Sequence, residues 1–200
     1  MLVPIGSSEQ HGPHLPLDTD TVIATAVAQG IADRIRCAPL HGEVLVAPAV
    51  PYGAGGQHQS SPGTVSIGHF ALRVMLTELV RSLSTWAGPV VFVNGHGGNV
   101  PALERVVSQM IAEHRNADWV PCRVPGADAH GGRTETSLML HLAPTGVDIV
   151  SAVSVPGALG DPTGASRAEG RALLDDMVTS AFFRIAVLDV GADAGAHGGP

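Results

Sequence analysis

The sequence predicts one domain over residues 1–200, an α/β fold built as a three-layer α/β/α sandwich with a mostly parallel central sheet. Short apolar runs rich in valine alternate with longer stretches of helical pattern, which is the order of a parallel sheet whose crossovers are helices. A chain of 200 residues suits one domain and can bury about 70% of the surface of its unfolded form. No internal repeat or low-complexity tract divides it.

Each element is predicted from its own pattern. A continuous apolar run with β-branched residues indicates a strand of a buried parallel sheet, and such runs cover residues 2–5, 44–50, 90–93 and 118–124. Helices are predicted over residues 21–36, 70–86, 100–114 and 165–188, with a shorter amphipathic helix through residues 138–142. Open α/β sheets place their ligands at the carboxyl ends of the strands, so polar residues directly after a strand are candidates for a site.

The segment 9–20 follows the first apolar run and carries Glu9, His11 and Asp20. Their oxygen and nitrogen atoms are ligands of zinc, iron or manganese. In an extended chain Glu9 and His11 would point the same way, roughly 7 Å apart at their α-carbons. That separation suits two metal ions about 3.5–4 Å apart better than one, with Asp20 as a bridge. The alternative is a polar surface loop. His14 is expected to be a turn residue, or else a partner that orients a ligand.

The second cluster is Asn94-Gly95-His96-Gly97-Gly98-Asn99, where the apolar run 90–93 ends. His96 therefore follows a predicted strand, where chemistry is expected. The glycines around it permit tight turns and the close approach of a substrate, which makes Gly97 and Gly98 candidate substrate contacts. The alternative is a glycine loop that only turns the chain into the next helix.

The third cluster covers residues 128–137, between a predicted strand and a predicted helix. It carries His130 and Glu135. Glu135 has a purely structural explanation, because an acid in the first turn of a helix is favoured by the helix dipole. Three histidine-bearing clusters at strand-to-helix junctions nevertheless favour one common site.

The three motifs, in this order and spacing, resemble the creatininase family of metal-dependent amidohydrolases. The resemblance implies two divalent metal ions per chain (zinc, iron or manganese). Glu9, Asp20 and His96 would hold one ion, and His11 and Asp20 the other. The chain departs from creatininase at Gly98, where that enzyme has a glutamate ligand. Glu135 is the candidate replacement.

The resemblance also implies a hydrolytic mechanism in which a metal-bound hydroxide attacks an amide. His130 would be the proton shuttle that protonates the leaving amine. Glu135 is counted with it among the catalytic residues. The segment 52–64 resembles the substrate loop of the family, which makes Tyr52 and His58 candidate substrate contacts.

Three segments, 51–58, 94–103 and 159–166, resemble a peptidase subgroup of the family. That likeness implies a peptidase that releases a C-terminal Val-Tyr dipeptide from a modified precursor peptide. The first alternative is a hydrolase of a small cyclic amide or a formamide. The second is a metal-binding subunit without turnover, which the presence of both His130 and Glu135 disfavours.

Composition excludes several partners. The net charge is −7, with eleven basic residues and no lysine, whereas nucleic-acid binding needs clustered lysine and arginine. No apolar stretch reaches the ~18–20 residues of a membrane span, and no signal peptide is recognisable, so we expect a cytoplasmic protein. The resemblance implies a homo-oligomer, a hexamer or larger. Members of the family usually begin with a helix before the first strand, so we expect this chain to be shortened at its start.

Overall fold

A three-stranded parallel sheet forms the centre of the protein in a computed structural model. The structure describes residues 1–38, 43–128, 130–151 and 160–193, with side chains described only up to residue 186. The strands are β1 (Leu2–Ile5), β2 (Val90–Asn94) and β3 (Ala117–Pro121), in the order β1-β2-β3. Ile5 is paired with Asn94, and Asn94 with Pro121. The carboxyl ends of all three strands therefore meet at one edge. Leu159, in the segment 159–166, lies outside the described residues.

The predicted strand over residues 44–50 is not a regular strand. The segment follows β1 in parallel through two isolated bridges, Leu2 with Val46 and Ile5 with Val50. Pro48 lies between the bridges and has no N–H to donate to a ladder, which explains the interruption. The predicted strand over residues 118–124 was also too long, since β3 ends at Pro121.

In the described part of the chain five α-helices surround the sheet, and all five were predicted with boundaries shifted by a few residues. They are α1 (Thr19–Cys37), α2 (Gly68–Leu83), α3 (Val100–Ala112), α4 (Arg133–Leu142) and α5 (Arg167–Asp193). Among the described residues, no helix is long and apolar enough to cross a bilayer.

Two apolar clusters lie on opposite faces of the sheet. Val91 and Val93 of β2 belong to a cluster with residues of α1, α4 and α5. Phe92 belongs to the other cluster, with residues of α2 and α3. Successive side chains of a strand point to opposite faces, so one strand supplies both clusters. This arrangement confirms the predicted α/β/α layering.

Candidate metal centre

The three polar clusters meet at the carboxyl edge of the sheet. The segment after β1 supplies Glu9 and His11, the first turn of α1 supplies Asp20, and the segment after β2 supplies His96. All four side chains are buried, with residue exposures of 0–3%. Gly95 permits this approach, because a Cβ at position 95 would collide with the carbonyl oxygen of Asp20.

One group of ligand atoms comes from Glu9, Asp20 and His96. Nδ1 of His96 lies 3.1 Å from Oε1 of Glu9 and 3.2 Å from Oδ2 of Asp20. One ligand atom from each of the three residues lies within 4.8 Å of the other two. The spacing is small enough for a single ion to contact all three.

A second group comes from His11, His130 and Glu135, whose ligand atoms also lie within 4.8 Å of one another. Nε2 of His11 lies 3.2 Å from Oδ1 of Asp20 and 3.8 Å from Oε2 of Glu135. The two oxygens of Asp20 therefore face different histidines. This is the arrangement expected of a carboxylate that bridges two ions.

The buried polar atoms of the first group fit a cation. Oε2 of Glu9 and Nε2 of His96 have no hydrogen-bond partner among the described residues, and Oε1 of Glu9 and Oδ2 of Asp20 have only ion-pair contacts with imidazole nitrogens. Buried polar atoms are normally satisfied, and two buried carboxylates that share so few donors are costly in a protein interior. A divalent ion bound to the carboxylates would remove that cost.

The carboxylates hold protons on the two histidines when no cation is bound. Burial alone would lower the pKa of His11, but the hydrogen bond and charge of Asp20 and the charge of Glu135 raise it to about 9. The pKa of His96 likewise rises to about 10, against the effect of burial, because of Asp20 and Glu9. Both imidazoles must lose a proton before they bind a metal ion.

Glu135 lies at the start of α4, and its carboxylate accepts a hydrogen bond from the backbone N–H of Gly131. Burial and the charges of Asp20 and Asp128 raise the pKa of Glu135 to about 7, although the charge of His11 opposes the shift. A structural role in the first turn does not explain why its oxygen points toward His11. The position agrees with the predicted ligand role.

His130 lies beside both groups. Its Nε2 lies 2.7 Å from the carbonyl oxygen of Gln10, to which a protonated nitrogen would donate, and its Nδ1 lies 3.5 Å from Oε1 of Glu9. Burial and the positive charge of His11 lower the pKa of His130. With Nε2 protonated, the neutral ring would present a proton acceptor at Nδ1, toward the carboxylates.

Comparison with known proteins agrees with this geometry. A family model for creatininase, described as creatinine amidohydrolase, matches residues 1–183. The chain belongs to the creatininase family. Like creatinine amidohydrolase, it is a metal-dependent hydrolase of C–N bonds.

Two relatives are named mycofactocin precursor peptide peptidase. The protein of Mycolicibacterium smegmatis is 49% identical over 92% of this chain and 83% of its own length. The protein of Mycobacterium tuberculosis H37Rv is 48% identical, over 93% and 84% respectively. Creatinine amidohydrolase of Pseudomonas putida is 30% identical over 81% of this chain and 71% of its own length. The expected subgroup of the family is confirmed.

Solved creatininase structures share the fold. A manganese form is 26% identical and has a TM-score of 0.78, and a variant with two zinc ions is 25% identical with a TM-score of 0.77. Each comparison covers 92% of this chain and 88% of the other. Zinc and manganese are two of the three metals that the sequence resemblance implied.

Gly98 departs from the creatininase pattern for a visible reason. A Cβ at this position would collide with Nε2 of His96 and lie 2.6 Å from the carbonyl oxygen of Ala54. A glutamate at position 98 would therefore require the imidazole or the backbone to move. The neighbouring Gly97 has open space around it and lines the cavity.

A cavity of about 600 Å³ opens over the two groups. His58 lines it, and its ring stacks on that of His130 with centroids 4.3 Å apart and planes at 14°. Glu9, His58 and His130 form a third set of potential ligands. Tyr52 is 48% exposed and is not one of the residues that line the cavity, so its predicted contact with the substrate stays a prediction.

Sequence reasoning gave no role to the two asparagines that hold the His96 loop. The Asn94 side chain donates to the carbonyl oxygen of His96 at 2.8 Å. Asn99 accepts from the backbone N–H of Ala54 at 2.8 Å and donates to the carbonyl oxygen of Gly6 at 3.0 Å. Both asparagines are buried; Asn94 braces the loop internally, and Asn99 ties it to Gly6 and Ala54. In the sequence, the only indication of this structural role is that the two asparagines stand at the two ends of the motif.

His14 is not a simple turn residue. It is 1% exposed, and its Nε2 forms a hydrogen bond of 3.0 Å with Oγ1 of Thr136, next to Glu135 in the sequence. The structure therefore agrees with the alternative, in which His14 helps to orient the start of α4.

Proposed function

We propose that this chain is a metal-dependent peptidase that hydrolyses a peptide bond near the C-terminus of a modified precursor peptide in mycofactocin biosynthesis, releasing a Val-Tyr dipeptide. The observation that carries the proposal is a buried carboxylate and imidazole cluster at a cavity large enough for a peptide end. Relatives that are 48–49% identical over more than nine-tenths of this chain bear the name of that peptidase.

The residues present fit two divalent ions. Glu9, Asp20 and His96 would hold one, while His11, Asp20 and Glu135 would hold the other. Divalent ions in such sites supply a nucleophile at neutral pH and polarise the scissile carbonyl. The two oxygens of Asp20 face His11 and His96 separately, which supports a shared ligand.

His130 would transfer the proton from the attacking water to the leaving amine. Its lowered pKa keeps the imidazole neutral near pH 7, so Nδ1 can accept a proton from the attacking water and pass it to the leaving amine. The carbonyl oxygen of Gln10 orients the ring, and the stacked ring of His58 covers its other side. Gly97 leaves room for the substrate backbone.

The cavity also bears on the alternatives. A volume of about 600 Å³ lies within the ~300–1,000 Å³ of sites that enclose drug-sized ligands. A small cyclic amide or a formamide would fill little of it. A metal-binding subunit without turnover would not need a neutral histidine beside the metal ligands, because it transfers no proton.

The test is to incubate metal-loaded protein with the modified precursor peptide, with an unmodified peptide ending in Val-Tyr, and with creatinine, using EDTA-treated protein as a control. We expect metal-dependent release of Val-Tyr, observed by mass spectrometry. Hydrolysis of creatinine alone would favour the small-amide alternative. Failure of loaded protein to cleave any of the three would contradict the peptidase proposal.

Two variants test the assigned roles. His130→Ala should keep its metal and lose about 10²- to 10⁴-fold in turnover, whereas Asp20→Ala should lose metal. His69→Ala is the matched control, because His69 is exposed on α2 and does not line the cavity. Equal metal content in the two variants, or wild-type activity in either of them, would contradict the assignment.

The proposal includes a cytoplasmic homo-oligomer, a hexamer or larger, on the strength of the family resemblance. Several large apolar side chains are exposed, including Phe70 at 73% and Phe183 at 63%, and such residues are candidates for subunit contacts. Light scattering coupled to size-exclusion chromatography would measure the subunit number.

A further inference from the structure

The cavity holds one side chain that is permanently positive, beside histidines and carboxylates of the candidate metal centre. Four carboxylates line it, from Glu9, Asp20, Asp128 and Glu135. Among the described residues that line the cavity, Arg123 is the only arginine, and the chain has no lysine. A positive charge at this place therefore calls for an explanation.

The backbone holds Arg123 near the candidate metal centre. It lies two residues after the end of β3, at the edge of the sheet that carries the ligands. The preceding residue, Cys122, donates its backbone N–H to the carbonyl oxygen of Asn94 at 2.8 Å. Burial and the negative charge of Asp20 raise the pKa of the Cys122 thiol. Arg123 thus follows a residue that is itself close to a proposed metal ligand.

Arg123 forms no ion pair or hydrogen bond with the described part of the chain. Four other arginines of the described residues are paired across the fold: Arg34 with Asp175, Arg81 with Glu113, Arg133 with Glu169, and Arg184 with Asp118. The guanidinium of Arg123 is exposed and has its donors available to a ligand in the cavity.

We propose that Arg123 binds the C-terminal carboxylate of the peptide and so limits cleavage to bonds near a free C-terminus. This inference rests on the proposed function and adds the residue that recognises the chain end. A guanidinium binds a carboxylate through two parallel hydrogen bonds, and such charge-assisted pairs are strong and directional. In the metal-loaded protein Glu9, Asp20 and Glu135 would be bound to the ions, which leaves the guanidinium of Arg123 to attract an anionic peptide end.

The neighbouring wall suits the side chain of that last residue. Trp119, Leu138 and Met177 line the same cavity and supply aromatic and aliphatic surface. An aromatic C-terminal residue would bury its ring there while its carboxylate meets Arg123. The site would thus combine an anion contact with an apolar pocket.

The test is to titrate metal-loaded protein with the dipeptide Val-Tyr and with Val-Tyr amide, and to measure both dissociation constants by calorimetry. Wild-type protein should bind the free acid about 10- to 100-fold more tightly than the amide, as expected for a charged hydrogen-bonded pair. Arg123→Gln should remove that preference, because only the affinity for the free acid should fall. Arg123→Lys should keep part of it. Arg171→Gln, which changes an exposed arginine on α5 away from the cavity, should change neither constant.

Three results would overturn the inference. The first is equal affinity of wild-type protein for the acid and the amide, and the second is an equal loss of affinity for both in Arg123→Gln. The third is an unchanged preference of Arg123→Gln for the acid, which would show that another group, such as a metal ion, binds the carboxylate. Cleavage assays separate this inference from the proposed function. If the precursor peptide is cleaved but Arg123→Gln keeps the preference, the peptidase stands and the carboxylate site fails. If no peptide is cleaved but the preference depends on Arg123, the site stands and the peptidase fails.

Discussion

Nε2 of His11 lies 3.2 Å from Oδ1 of Asp20, although the two residues are nine positions apart and only Asp20 belongs to α1. Both side chains are buried. The other oxygen of Asp20 lies 3.2 Å from Nδ1 of His96. One carboxylate thus links the two groups of candidate ligands, and its removal should affect both.

Asp20→Asn should lower the metal content from about two ions per chain to less than one, because the amide keeps the size of the side chain and loses its charge. Elemental analysis after dialysis against a buffered metal solution would measure this. Asp18→Asn is the control, since Asp18 is exposed just before α1. Full metal content in Asp20→Asn would contradict the bridging role.

Glu135→Gln should remove one ion and keep the other. Glu135 lies within reach of His11, and the group of Glu9, Asp20 and His96 does not include it. The expected content is about one ion per chain, with activity reduced by at least about 100-fold. Two retained ions would show that another residue supplies the ligand that replaces a side chain at Gly98.

Gly98→Ala should destabilise the His96 loop, whereas Gly97→Ala should be tolerated. A Cβ at position 98 would collide with the His96 ring, but a Cβ at position 97 meets no atom within 4 Å. Overpacking of this kind costs roughly 1–3 kcal/mol. Thermal unfolding and metal analysis of both variants would measure the difference. A Gly98→Ala variant with normal stability and metal content would show that the ring moves freely.

Removal of metal should lower the melting temperature. A ligand that binds only the folded state at about 100 times its dissociation constant stabilises it by ~2.7 kcal/mol, or about 5–10 °C for a chain of this length. Calorimetry before and after chelation would measure the shift. Addition of zinc or manganese should restore the original value. A melting temperature unaffected by chelation would contradict tight binding.

Glu113→Gln should lower the thermal stability of the protein in a pH-dependent manner. Two nitrogens of Arg81 donate to the Glu113 carboxylate, one of them at 3.0 Å, and hold its pKa at about 2, below the usual 4.5. A lowered carboxylate pKa stabilises the fold above pH ~4.5, and the contribution disappears as the pH falls toward 2. The melting temperatures of wild type and variant should therefore differ slightly at pH 7 and converge near pH 2.

A matched variant isolates this effect. Glu104 is an exposed acid on α3, the helix that ends just before Glu113, and it has no ion pair within the described residues. Glu104→Gln should have the same melting temperature as wild type across the pH range. A difference between wild type and Glu113→Gln that grows toward pH 2 would contradict the assigned pKa.

Local patterns predicted most of the fold. The helices were found because amphipathic periodicity depends only on neighbouring residues. The strand predictions were less accurate at residues 44–50, where Pro48 interrupts the ladder, and at 118–124, where the ladder ends at Pro121. A proline affects the backbone hydrogen bonds and not the hydropathy on which those predictions depended.

The sequence by itself determined which residue types are available as ligands and that they follow strands. Glu9, His11, His96, His130 and Glu135 could all be named from their motifs. Only the tertiary structure decided how they meet. It decided that Asp20 faces two histidines, that His58 stacks on His130, and that Arg123 lines the cavity. The physical reason is that strand register and helix packing set distances between residues far apart in the chain, and local pattern does not encode those distances.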